Sequence, residues 1–209
     1  MKNNKQNRFW NSFASKYDAF IARYAKDTYE KSLQLIKKEI NTNSNVLEVG
    51  TGTGLIAFSI AEFANTITAI DYAPEMIRVA NSKLEKQKHN NISFYVSEAN
   101  MIKSEDKLFD IVIASNVFHL LTNADEALWE IRRVLKDRGK VILPTYCHGQ
   151  NIKSRFISAI MGLSGFKAIN RWSTAEFREF VCNGGFTIEK EEVIADKIPM
   201  SFLVASKKQ

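Results

Sequence analysis

The chain has 209 residues, 45% of them hydrophobic and 25% charged, enough to bury one good core and too few for two, so a single domain over 1–209 is expected. No stretch approaches the roughly 18 uncharged apolar residues of a membrane span, and Met1 to Arg8 leads into no secretory h-region. Cys147 and Cys182 have neither metal-ligand spacing nor the makings of a disulfide framework, so a cytoplasmic chain without a metal is expected. The formal net charge of +6 would suit nucleic acid or a membrane surface. Its cations, however, are scattered (Lys31, Lys37 and Lys38; Lys83, Lys86 and Lys88; Lys207 and Lys208) without arginine-aromatic interleaving, which reads as solvated faces and argues against a nucleic-acid partner.

From Arg8 to Tyr24 the apolar positions Trp10, Phe13, Tyr17, Phe20, Ile21 and Tyr24 recur at three- and four-residue steps, the mark of one buried helical face. A second helix follows over about Asp27 to Ile40, completing an N-terminal helical cover at 8–40. Asn45 to Val49 is short and β-rich and runs into Gly50-Thr51-Gly52-Thr53-Gly54, after which Leu55 to Phe63 reads as helix: strand, glycine turn, helix. Thr66 to Ile70 is the second strand. Asp71 follows it, and Pro74, tolerated at a first helical position, opens a helix to about Lys88. Ile92 to Ser97 and Phe109 to Ala114 are the third and fourth strands. Asn123 and Glu126 resemble a capping pair for a helix ending near Leu135, and Gly139 to Thr145 is the fifth strand. An irregular stretch from Tyr146 to Trp172 then precedes a helix with a capping box at Ser173-Thr174-Ala175-Glu176 and a stop at Gly184-Gly185. Thr187 to Ala195 and Met200 to Ser206 close the chain as two strands, and the short link between them requires antiparallel pairing.

Strand and helix alternate up to Thr145, which predicts parallel strands joined by helical crossovers, helices on both faces, and a ligand beyond the strands' carboxyl ends. The expected fold is therefore α/β: a doubly wound, mostly parallel seven-stranded sheet with a C-terminal antiparallel strand pair. Within it, 45–145 would be the cofactor-binding core, 146–172 a substrate-cover segment, and 173–209 the C-terminal helix and strand pair.

Chemistry concentrates at Glu48-Val49-Gly50-Thr51-Gly52-Thr53-Gly54. Glycines are needed where backbone turns sharply off a strand and where a ligand must come closer than a Cβ allows. Asp71, ending the second strand, is placed to accept hydrogen bonds from both hydroxyls of a ribose in the same crevice. Two readings compete. Gly52-Thr53-Gly54-Leu55-Ile56-Ala57 also satisfies the G-x-G-x-x-(G/A) dinucleotide fingerprint, with Asp71 near the right distance, which would make the chain a nicotinamide-dependent oxidoreductase.

With these residues in view, the sequence resembles the class I S-adenosylmethionine-dependent methyltransferases, in the branch similar to ubiquinone and menaquinone C-methyltransferases. The resemblance is carried by Glu48, Gly50, Gly52 and Gly54 on the family's E-x-G-x-G-x-G motif and by Asp71 as its acidic ribose ligand. Phe109 to Asn116 on its fourth-strand motif and Arg133 to Lys140 on the turn before its fifth strand agree with it. The family's Asp-Ala after the third strand is Glu98-Ala99 here. The resemblance implies a Rossmann-like sheet and S-adenosyl-L-methionine as cofactor. It further implies that backbone around Gly50 to Gly54, with Thr51, holds the methionyl part, with Glu48 reaching its ammonium group. Asp71 would hold the ribose, Tyr72 and Met76 would pack on adenine beside Glu98 and Ala99, Ser115 and Asn116 would lie at the sulfur end, and Tyr17 would reach the cofactor from the first helix.

Methyl transfer from an activated sulfonium needs chiefly positioning and exclusion of water. An acceptor that must lose a proton could use His119, past the fourth strand, or Tyr146 and His148, past the fifth; a half-buried structural role for His119 reads equally well. Trp10, Phe13 and Tyr17, with Phe156, Ile157, Ile160, Met161, Leu163 and Phe166, would form an apolar cover for a small apolar or aromatic acceptor, and Gly162 and Gly165 would let that segment move. The Pro-Pro-aromatic motif of enzymes methylating the amines of nucleic-acid bases is absent after the fourth strand, where Ser115-Asn116-Val117-Phe118 stands. A non-catalytic cofactor-binding module of the same fold is a third reading. The pattern leaves the acceptor atom and the oligomeric state open.

Overall fold

The computed structural model describes residues 3–163 and 166–208, with side chains over 7–159 and 166–208. Its strands are β1 (Asn45–Val49), β2 (Thr66–Asp71), β3 (Ile92–Val96), β4 (Phe109–Ile113), β5 (Leu135–Tyr146), β6 (Phe186–Ile194) and β7 (Met200–Lys207). They form one sheet in the order β3-β2-β1-β4-β5-β7-β6. The first five pair parallel, and β7 runs antiparallel between β5 and β6. The succession β1, β2, β3 moves outward to one edge, and β4 then returns to the other side of β1. This reversal of winding opens a crevice at the carboxyl ends of β1 and β4, where an α/β sheet takes its ligands.

The helices are α1 (Asn3–Phe13), α2 (Tyr17–Tyr24), α3 (Lys26–Lys37), α4 (Leu55–Ile60), α5 (Pro74–Gln87), α6 (Ala124–Val134), α7 (Ile152–Leu163) and α8 (Thr174–Asn183). Side chains alternate across each strand, so the sheet has two buried faces. Leu47 and Val112 pack with Leu128 and Ile131 of α6 and Phe177 of α8. Val46, Ile111 and Ile113 pack with Ile36 of α3, Ile60 of α4 and Ile77 of α5 on the other face. Asp110 pins the sheet at its far end, accepting from the Asn45 amide at 3.0 Å and from Lys136 Nζ at 2.7 Å.

Several boundaries differ from the sequence reading. The single helix expected from Arg8 to Tyr24 is broken by a 3-10 turn at Ala14–Lys16. Trp10, Phe13, Tyr17 and Phe20 nevertheless stay in edge-to-face contact across the break, so the aromatic stripe, not a continuous hydrogen-bond ladder, unites the segment. The fifth strand starts at Leu135, four residues early, because the chain leaves α6 straight into the sheet and carries the Arg138-Gly139 region as an irregularity in the β4–β5 register. Asn123 stands at the N-cap of α6 but its side chain makes no capping bond; its Nδ2 donates to Glu126 Oε2 at 2.8 Å instead. Ser173 does cap α8, with both reciprocal bonds of a capping box formed.

The stretch read as irregular after Tyr146 contains α7. Its start carries a signal of its own: the Ser154 amide donates to Asn151 Oδ1 at 2.8 Å while the Asn151 amide donates to Ser154 Oγ at 3.0 Å, a reciprocal cap in an Asn/Ser version. Gly162 falls within this helix. Gly165, the other expected hinge, and the side chains of Ile160, Met161 and Leu163 lie outside the described residues.

Candidate active site

Three left-handed glycines shape the turn after β1: Gly50 (φ +70°), Gly52 (φ +56°) and Gly54 (φ +84°). The amides of Gly50 and Thr51 donate to the Ile70 carbonyl at 2.8 and 2.9 Å, tying the turn to the end of β2. Asp71 completes the tie. Its Oδ2 accepts from the Gly52 amide at 2.8 Å and its Oδ1 from the Ala73 amide at 2.9 Å, so one carboxylate orients both the glycine turn and the entry to α5. Each oxygen keeps a second lone-pair direction for a ligand.

Beside this staple lies a cavity of about 430 Å³, within the usual range for a small-molecule site. Gly50 and Gly52 form one wall. Asp71, Tyr72 and Met76 form the next, followed by Glu98 and Ala99 beyond β3, Ser115 and Asn116 beyond β4, and Tyr146 at the end of β5. Tyr17 enters from α2. Its neighbour Asp18 fixes that helix on the glycine turn, accepting from Thr53 Oγ1 at 2.5 Å and pairing with Lys83 at 2.5 Å. Asn116 sits at φ +57°, with its amide donating to the Pro144 carbonyl at 2.7 Å and its Oδ1 accepting from the Tyr146 amide at 3.2 Å. That clamp holds the ends of β4 and β5 side by side.

A second, smaller cavity of about 40 Å³ opens behind the glycine turn, lined by Glu48, Thr51, Tyr29 and Ser32 together with Tyr17 and Tyr146. Glu48 is buried and accepts from Thr51 Oγ1 at 2.7 Å. Glu48 and Thr51 thus stand one layer deeper than the other expected site residues.

Two expectations are corrected. Gly54 faces neither cavity: a Cβ there would meet Phe94 Cζ at 2.7 Å and Phe58 Cε2 at 2.9 Å, so this glycine serves packing of the turn on the core. His148 does not line the cavity either. It lies behind His119, ring centroids 5.1 Å apart, and both stack near Phe166. His119 itself is 2% exposed and lines the cavity with its Nδ1 unpartnered among the described residues.

The expected apolar cover is half right. Trp10, Tyr17 and Phe166 do roof the cavity, and Phe9 and Trp10 contact Phe166 across the gap between the two cover segments. Phe13 packs on its aromatic neighbours without reaching the cavity, while Phe156 and Ile157 point elsewhere, Phe156 being 66% exposed. Sequence reasoning missed Phe20, Ile21, Asn100 and the run Leu120 to Asn123. Phe20 and Ile21 were legible as continuations of the aromatic stripe; the others are placed by backbone path alone.

Electrostatically the cavity is acid-lined: Asp71 and Glu98 are its charged groups, with no Lys or Arg among the described lining residues. Burial pushes Glu48 up to about 8 against the partial relief of the Thr51 hydroxyl, and Asp71 up to about 6 against its amide bonds to Ala73 and Gly52. Burial holds His119 well below its usual value, aided by His148, and brings His148 down to about 4 with Arg171 adding to the effect. Tyr146 is pushed up to about 12, again by burial. Such a site suits a cationic ligand; a pyrophosphate would meet carboxylates without a countercharge.

The residues present fit a sulfonium nucleoside. Gly52 opens where a Cβ would come within 3.6 Å of Tyr17 and 4.0 Å of Met76 Sδ. The buried hydroxyls of Tyr72, beside Asp71, and of Ser32, which shares the smaller cavity with Glu48, have no hydrogen-bond partner among the described residues. A family model described as a methyltransferase domain matches residues 40–185. The malonyl-[acyl-carrier protein] O-methyltransferase of Geobacter sulfurreducens is 30% identical over 83% of this chain and 66% of its own length. The ubiquinone/menaquinone biosynthesis C-methyltransferase of Citrifermentans bemidjiense is 30% identical over 63% of this chain and 59% of its own. The chain thus spans less than two thirds of these relatives. A SAM dependent methyltransferase from Aquifex aeolicus shares the fold, with a TM-score of 0.71 at 20% identity over 94% of this chain and 98% of that one. A family match over most of the chain, on a sheet whose crevice is ringed by the motif residues, is decisive: the chain belongs to the class I S-adenosylmethionine-dependent methyltransferases.

Proposed function

We propose that the chain transfers a methyl group from S-adenosylmethionine to a small, uncharged, apolar or aromatic acceptor. The observation that carries this reading is a cavity lined both by the carboxyls of Asp71 and Glu98 and by the rings of Trp10, Tyr17, Phe20 and Phe166, without a cation among its described lining residues. When bound, the cofactor supplies a methyl group already activated on sulfur. Asp71 would hold the ribose, and Tyr72, Met76, Glu98 and Ala99 would enclose the base. Gly50, Thr51 and Gly52 would carry the methionyl arm, with Glu48, Tyr17, Ser115 and Asn116 around it. Gly54 has no place in this set.

Trp10, Phe20 and Phe166, also in the cavity lining, would orient the acceptor and keep water out. His119 is the candidate base. Burial keeps it neutral at physiological pH, and its free Nδ1 can take a proton from an acceptor that must lose one. Tyr146, held as the phenol, would act as a hydrogen-bond donor, and His148 would position His119 from behind. An oxidoreductase reading loses its footing where no described cation meets a pyrophosphate.

Calorimetric titration with S-adenosylhomocysteine tests the reading. The wild type should bind, and Asp71→Ala should bind about tenfold to a hundredfold more weakly, the worth of charge-assisted hydrogen bonds, with thermal melting recorded to show that the variant is folded. Absence of heat from the wild type would sink the proposal. His119→Ala should leave this affinity unchanged while lowering turnover on the acceptor.

A further inference from the structure

Over its described side chains, residues 152–159, helix α7 wears its polarity inside out. Ser154 and Ser158 are 0% and 1% exposed, whereas Ile152 and Phe156 are 88% and 66% exposed. At 3.6 residues per turn, Ile152 and Phe156 form one ridge, the serines lie on the opposite side, and Lys153 and Arg155 flank the ridge at about 80° on either hand. Single exposed apolar side chains are ordinary. A helix that buries serines, Ser158 Oγ without a partner among the described residues, and turns an isoleucine-phenylalanine ridge outward between two exposed cations is not patterned for water alone.

The charge distribution points the same way. From Tyr146 to Thr174 the chain has Lys153, Arg155, Lys167 and Arg171 and no acidic residue; from Met1 to Tyr17 it has Lys2, Lys5, Arg8 and Lys16 and again no acidic residue. These two stretches hold eight of the 29 Lys and Arg and none of the 23 Asp and Glu, so the rest of the chain is slightly acidic and the surplus of +6 resides here. They meet at Phe166, against Phe9 and Trp10, over the cavity. Among the described residues, Arg8, Lys16, Lys153, Arg155, Lys167 and Arg171 are exposed and none forms an ion pair; Arg155 acts on Glu176 only through space.

We propose that α7 and the N-terminal helix form a docking face for an anionic lipid surface, with Ile152 and Phe156 entering the headgroup region and the surrounding cations meeting lipid phosphates. An apolar ridge with flanking Lys and Arg is the composition of a helix lying in a membrane interface, and juxtaposed cations are drawn to an anionic leaflet. A second copy of the chain is a poor occupant, because like charges would face each other. An acidic protein would satisfy the cations and leave the ridge unexplained. The proposal is independent of the methyl-transfer reading, since it concerns the unliganded chain.

Co-sedimentation of the full chain, without cofactor, with phosphatidylcholine vesicles and with vesicles containing phosphatidylglycerol decides it. Binding is expected only to the anionic vesicles and should weaken with salt. Ile152→Ser/Phe156→Ser should lower the partition by about tenfold or more, and Lys153→Glu/Arg155→Glu should do the same. Both pairs replace exposed side chains, and circular dichroism checks that they fold. No binding by the wild type would overturn the proposal. So would binding indifferent to the Ile152/Phe156 pair, which would assign the face to soluble polyanions such as an acidic protein.

Discussion

Glu48 shows how a single protonation state can gate a binding site. Burial holds it near 8 in the free protein, so at neutral pH the group is mainly the neutral acid, lodged against Thr51 in the smaller cavity. An ammonium group brought there would favour the carboxylate, and the proton must leave. Binding of S-adenosylhomocysteine at about pH 7 should therefore release a proton, making the measured heat depend on the ionisation enthalpy of the buffer. Glu48→Gln should abolish that dependence, and equal heats for the wild type in phosphate and Tris would refute it. The sequence singled out Asp71 by its place at the end of a strand beside a glycine turn, and Glu48 through the motif it shares with the resembling family. It could not separate the three glycines of the motif. Gly50 must clear Val117, whose Cγ2 would stand 2.3 Å from a Cβ, Gly52 borders the ligand space, and Gly54 meets two phenylalanine rings; these roles differ only through neighbours distant in sequence.

At the scale of elements that difference becomes measurable. Gly54 is the residue before α4, left-handed and pressed on Phe94 and Phe58. Gly54→Ala should destabilise the fold by about 1–3 kcal/mol through strain and overpacking while leaving the affinity of the folded protein for S-adenosylhomocysteine nearly intact. Gly52→Ala carries similar strain but sets its methyl toward Tyr17 and Met76, so melting temperature and affinity should fall together. Equal losses of affinity in the two variants would show that the turn responds as one unit. Strand positions and the α8 capping box were readable because period-two apolar runs and Ser-x-x-Glu are local signals. Helix α7 was not, because Ile152 and Phe156 face outward and Asn-x-x-Ser is an uncommon cap. The break at Ala14–Lys16 was hidden by an aromatic stripe that continues through it.

The whole molecule carries a pH dependence set by titratable groups buried at or beside the two cavities. In the folded chain Glu48 moves from 4.5 to about 8 and Asp71 from 3.8 to about 6; a raised carboxyl contributes stability that is full below its unfolded value and lost as pH rises through the folded one. His148 moves oppositely, from 6.5 to about 4, and His119 falls further; their contribution is full above the unfolded value and lost as pH falls. Between the unfolded histidine value of 6.5 and the folded Glu48 value of about 8, Glu48 is the one of these four groups still titrating differently in the two states. The melting temperature of the free protein should therefore decline across that window, before the buried Cys147 thiol, raised from 9.0 to about 11, adds a further decline at higher pH. Glu48→Gln should flatten the decline, and saturation with S-adenosylhomocysteine should flatten it too, since the ligand's ammonium removes the penalty on the carboxylate. A decline that persists unchanged in Glu48→Gln would place its origin in another group and remove the electrostatic link between the smaller cavity and the fold.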